Sequence, residues 1–100
     1  MATINKQPYE VFTIEKDFAE RMADGEIIDP ASSDVLVFNS ERTDVTTNMI
    51  ESGTITVDSN TILQAVIKGG TDKQRYKVSF RAYISDTKKL EEDDDLLVRD

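Results

Sequence analysis

Residues 75–85 read Arg75-Tyr76-Lys77-Val78-Ser79-Phe80-Arg81-Ala82-Tyr83-Ile84-Ser85. Tyr76, Val78, Phe80, Ala82 and Ile84 fall at every second position, and Arg75, Lys77, Ser79, Arg81 and Tyr83 alternate with them. Successive side chains of a strand point to opposite faces, so this spacing predicts an antiparallel strand with one dry and one wet face. A helix would scatter the same apolar residues around its circumference. The fold therefore has to supply a sheet for this segment to join.

Just upstream, Gly69-Gly70-Thr71 separates this strand from Thr61–Lys68, TILQAVIK, which predicts a strand with Leu63, Ala65 and Ile67 inward. A phosphate-gripping loop needs G-x-x-x-x-G-K-[ST] between a strand and a helix, so that backbone N–H groups meet the anion. Here Lys68 precedes the glycines and a strand follows, so order and context are both wrong. The glycine pair instead supplies positive φ in a strand-to-strand turn. Tyr76 opens the next strand, where an immunoglobulin-like sandwich places a tyrosine whose hydroxyl bonds back to the preceding loop. An ordinary core tyrosine is the other reading. Gly69, Gly70 and Tyr76 form the candidate structural corner.

Working outward, residues 1–8 end at Pro8 and read as a flexible arm, leaving 9–100 as a single sandwich domain. Tyr9–Ile14 is rich in β-formers and predicts a first strand. Phe18 and Met22, four apart beside Ala19 and Ala23, predict about two turns of amphipathic helix closed by Asp24-Gly25. Glu26-Ile27-Ile28 starts another strand, and the apolar run Asp34–Asn39 predicts one covered on both faces. Residues 40–52 form a polar connection with an edge strand around Val45, and Gly53–Asp58 alternates as a strand. After residue 85 the chain crosses SDTKKLEEDD and closes with a strand over 95–99. Short strands with turn signals roughly every 8–12 residues indicate an all-β fold. We expect an immunoglobulin-like antiparallel β-sandwich of about seven strands with one short N-terminal helix.

Composition narrows the function. The 100 residues hold 20 acidic and 12 basic side chains, for a net charge of −8, with no histidine and no cysteine. Such a surface repels nucleic acid and anionic membranes, so neither is an expected partner. Histidine-dependent triads, cysteine nucleophiles and zinc sites built on His or Cys are excluded by composition. Neither a membrane span nor a signal peptide is expected, because no apolar run is long enough and MATINKQPYEVF lacks an apolar segment flanked by basic residues. Carboxylate pairs for acid–base chemistry are unavoidable with so many acids, yet a small sandwich offers little pocket for them. No enzyme activity and no cofactor are expected.

Two charge features need weighing. Glu91 to Asp95 is a run of five acids, but its spacing matches no EF-hand loop, and like charges in a row mostly stay solvated. Lys73, Arg75, Lys77 and Arg81, with Tyr83 in line, resemble a single-strand-binding stripe. The plainer reading pairs them with the acids of 91–95 across a hairpin ladder, where opposite charges stabilise modestly.

Lys6 and Pro8, Asp17-Phe18, Gly25-Glu26-Ile27, Gly53, the Gly69-Gly70-Thr71 turn and Tyr76 occur in an order that resembles small phage fiber-tail adaptor proteins and related prophage modules. These are short immunoglobulin-like sandwiches encoded among tailed-phage structural genes. The chain departs from that pattern where DFAERM replaces a leucine-rich first helix and DTKKLEEDDD replaces a glycine-containing final hairpin. The resemblance implies a non-enzymatic virion module, made in the bacterial cytoplasm, whose partners are other phage structural proteins. A homo-oligomer within an assembled particle is a further expectation. Because loops generally carry binding, the contact residues expected are Arg42, Asp44 and Met49 in the 40–52 loop, and Glu91, Glu92 and Asp93 in the final hairpin, with the N-terminal arm. The alternative from another class is an acidic phage-encoded inhibitor that imitates DNA toward a host nucleic-acid enzyme.

Overall fold

In the computed structural model, which describes residues 2–100, the chain forms seven strands. They are β1 (Thr3–Lys6), β2 (Phe12–Asp17), β3 (Asp34–Asn39), β4 (Thr56–Asp58), β5 (Ile62–Ile67), β6 (Arg75–Ser85) and β7 (Lys88–Val98). One sheet runs β1-β7-β6-β3 and the other β2-β5-β4. Every neighbouring pair is antiparallel except β1, which lies parallel to β7. This is the immunoglobulin arrangement of two packed sheets, with the first strand laid beside the last.

Strand β6 has the bounds its alternation predicts. Tyr76, Val78, Phe80 and Ala82 are buried against Ile14, Leu63, Ala65 and Ile67 of the facing sheet. Each large aliphatic or aromatic side chain buried this way contributes roughly 1.5–3 kcal/mol. Leu63, Ala65 and Ile67 are all fully buried, so β5 also faces inward as its pattern indicates.

Several expectations need correction. Residues 3–6 are not a loose arm: they pair with β7, with Ile4 half-buried opposite Leu96 and Lys6 only 2 % exposed. The first full-length strand of the second sheet begins at Phe12 rather than Tyr9, because residues 7–10 close a turn through Glu10 N–H to the Gln7 carbonyl. The two-turn helix is absent. A single 3-10 turn, Ala19–Arg21, follows β2, and Phe18 enters the core. Extension through Asp17 gives β2 six cross-strand partners on β5, whereas a helix that short needs packing to persist.

Glu26-Ile27-Ile28 forms no strand; Ile28 is buried while Ile27 is 56 % exposed. In β3, Val35 and Val37 are buried but Leu36 and Phe38 are only half-covered, since β3 ends its sheet and packs on one face alone. Around Val45 the chain makes a bridge from Asp44 to Phe38 and then a helical turn, α1 (Thr46–Met49). Strand β4 shortens to three residues. The largest difference concerns β7, which starts at Lys88 and absorbs the acidic tract into its middle.

Candidate interaction site

The loops 7–11, 40–55 and 68–74 gather at one end of the sandwich. Their anchor is the corner of β5 and β6. Thr71 N–H donates to the Tyr76 hydroxyl at 3.0 Å, tying the loop to the first buried residue of β6. Gly69 and Gly70 have φ of +63° and +95°. A Cβ on Gly69 would lie 2.9 Å from the Asn48 carbonyl oxygen, and one on Gly70 would lie 2.8 Å from Val98 Cγ2. The glycines therefore serve both the turn and the close approach of α1 and β7.

Met49 is 2 % exposed and packs beneath Gly70, so it is a core residue and not a contact in a loop. Asp44 and Arg42 remain exposed in the 40–45 connection. The Asp44 carboxylate accepts the Thr46 N–H at 2.9 Å and opens α1; hydrogen bonding from Thr46 holds its pKa below the ordinary carboxylate value. Val45 N–H donates to the Val37 carbonyl, and Val37 N–H donates to Thr46 Oγ1, which covers much of the β3 edge. Between this connection and the corner lies a polar cleft of about 300 Å³, lined in part by Asn39, Asn48, Thr71, Gln74 and Tyr76.

Lys6 organises the neighbouring turn, a role its position in an apparent arm concealed. Its ammonium donates to the carbonyls of Gln7, Pro8 and Gly69 at 2.9, 3.2 and 2.6 Å. Burial lowers its pKa from the usual lysine value, partly offset by Glu10. The clamp fixes the 7–10 turn to the glycine corner and leaves Tyr9 95 % and Val11 61 % exposed. Sequence reading missed this pair, because a β-forming stretch with outward apolar residues looks like core.

Glu91, Glu92 and Asp93 lie in β7 rather than at a hairpin tip. The pairing proposed across the ladder is present: Arg81 Nε is 2.8 Å from Glu91 Oε1, and Lys77 Nζ is 3.8 Å from Asp93 Oδ2. Two further acids of the tract, Glu92 and Asp94, turn inward, while Asp95 stays on the outer face. Arg21 reaches Glu92 at 2.6 Å, and Lys16 reaches Asp94 at 2.7 Å. Ser79, buried on the outer face beside these charges, donates to Asp93 Oδ1.

Against this architecture, a family model described as podophage GP4 fiber-tail adaptor protein gp77 matches residues 6–98. The chain belongs to this fiber-tail adaptor family. No curated protein matches it. The match starts at Lys6 and ends at Val98, so in this adaptor-family chain it takes in the lysine clamp, the glycine corner and the whole acidic strand.

Proposed function

We propose that the chain is a non-enzymatic structural adaptor of a podophage tail, made in the bacterial cytoplasm and built into the virion among other phage structural proteins. The family match across residues 6–98 carries this reading. The geometry supports it. A rigid sandwich presents three loops at one end, and the turn clamped by Lys6 projects a tyrosine, a residue type enriched at protein interfaces. Arg42 and Asp44, the two exposed residues of the three expected as contacts in the 40–52 loop, sit at the same end. Copies of the chain would adjoin one another within the assembled particle.

The acids of β7 are interleaved with Lys16, Arg21, Lys77 and Arg81, which favours an adaptor over an imitation of DNA charge. Co-expression with the tail and fiber proteins of its own genome tests the proposal. A stoichiometric complex on size-exclusion chromatography is expected. A chain that stays monomeric and binds none of them overturns it, and salt-released capture of a host DNA-binding enzyme would favour the inhibitor instead.

A further inference from the structure

Four strands end the two sheets, and they differ in what their free edges offer. Much of the β3 edge is occupied: Val37 accepts the Val45 N–H and donates its own N–H to Thr46 Oγ1, and Asn39 N–H donates to the Thr43 carbonyl. Strand β4 has three residues and β1 has four, so each presents little backbone. Strand β2 has six.

The direction of its backbone groups follows from two observations. Phe18 N–H donates to the Thr61 carbonyl, toward β5, and groups of Phe12, Ile14 and Lys16 share that direction by the two-residue period. On β5, Val66 N–H donates to Thr54 Oγ1 and its carbonyl accepts Glu51 N–H, so Val66 and Gln64 turn away from β2. Thr13 and Glu15, opposite them, therefore turn their N–H and C=O groups outward, and Asp17 follows. Among the described residues, no hydrogen bond outside the β2–β5 ladder engages these three backbones.

The side chains on this edge give its chemistry. Glu15 and Asp17 are exposed, and neither enters an ion pair among the described residues. Two residues before Thr13, just ahead of β2, Val11 adds an exposed apolar side chain. A second copy fits poorly: antiparallel pairing of β2 about Glu15 sets that carboxylate against its own copy, and like charges directly opposite destabilise.

We propose that the free edge of β2 is a docking edge for an extended cationic segment of a partner protein, which adds as a fourth strand to the β2-β5-β4 sheet. Backbone bonds to Thr13, Glu15 and Asp17 supply the pairing, and Lys or Arg at alternate positions of the segment face Glu15 and Asp17. This rests on the adaptor reading only for the existence of a partner.

The probe is a blocked seven-residue peptide alternating arginine and threonine, titrated into the isotopically labelled full chain and followed by NMR. Amide shifts and slowed exchange at Thr13, Glu15 and Asp17 are expected. The double substitution Glu15→Lys, Asp17→Lys, at exposed positions, weakens binding at least about tenfold. Backbone N-methylation of the peptide at the positions facing β2 weakens it by roughly the same factor, since those hydrogen bonds are lost. No binding, or shifts spread over the acidic loops that survive N-methylation, overturns the proposal. Failure of the peptide leaves the co-expression result unaffected, and failure of co-expression leaves the peptide result unaffected, so the two readings fall separately.

Discussion

Lys16 Nζ meets Asp94 Oδ1 at 2.7 Å between the two sheets, joining β2 to β7 where an apolar pair would be expected. Asp94 is 3 % exposed, and its Oδ1 also accepts the Ala2 N–H at 3.0 Å, so one carboxylate fixes the start of β1 as well. The Lys16 ammonium lies 6.0 Å from the centre of the Phe80 ring. Asp94→Ala leaves that ammonium without its partner. Breaking a buried pair costs roughly 3–5 kcal/mol, and the residual exposure of Lys16 lowers the expected loss to about 2–3 kcal/mol. Urea unfolding measures it. A double substitution, Lys16→Met with Asp94→Leu, is expected to recover most of the loss, because an apolar pair escapes the desolvation cost.

The Tyr76 hydroxyl and Gly70 make separable contributions at the corner. Tyr76→Phe removes the acceptor for Thr71 N–H and is expected to cost about 1 kcal/mol. Gly70→Ala must place a Cβ 2.8 Å from Val98 Cγ2 at a φ of +95°, and is expected to cost more, about 2–3 kcal/mol. Equal midpoints for the two variants in urea would show that the close approach to Val98 is relieved without cost.

The sequence made the sheets legible wherever one face alone is buried. Strand β6 alternates because its outer face is polar, and a period of two then shows directly; on β5 the outward Ile62 and Val66 blur the pattern, with Gln64 alone marking the wet face. Strand β7 hid its inner face, since Glu92 and Asp94 stand at core-facing positions and are neutralised by Arg21 and Lys16, distant in sequence. Lys6 hid β1 for the same reason: its ammonium is satisfied by carbonyls of Gln7, Pro8 and Gly69, and the last lies 63 residues away. The spacing of Phe18 and Met22 suggested a helix, but pairing of β2 with β5 outweighed that local preference. The family's short motifs marked the glycine corner, while the clamped turn with Tyr9 depends on contacts that no local pattern displays.

Acid should weaken the fold through carboxylates whose pKa the native state lowers. Lys88 donates to Glu26 at 2.8 Å and holds its carboxyl below the usual value of 4.5; Thr46 does the same for Asp44. A depressed carboxylate pKa contributes stability that is fully present above the unfolded value and is lost as pH falls through the folded one. Urea midpoints are therefore expected to hold near neutrality and to drop below about pH 4.5. Glu26→Gln should differ from the parent at pH 7 and approach it in acid. A gap that stays constant with pH would show that the Lys88 contact is not the cause.

Tyr9 separates folding from assembly. Its side chain is 95 % exposed, so Tyr9→Ala is expected to move the urea midpoint by less than about 0.5 kcal/mol of stability. If the turn clamped by Lys6 contacts a neighbouring tail protein, the same substitution should reduce capture of that protein several-fold in co-purification, since buried interface tyrosines often contribute disproportionately. Lys6→Met makes the companion measurement. It keeps the buried stem but removes the ammonium from the Gln7, Pro8 and Gly69 carbonyls, so amide exchange over residues 7–10 should accelerate and capture should fall even with Tyr9 intact. Unchanged capture in both variants would place the contact on another surface of the sandwich.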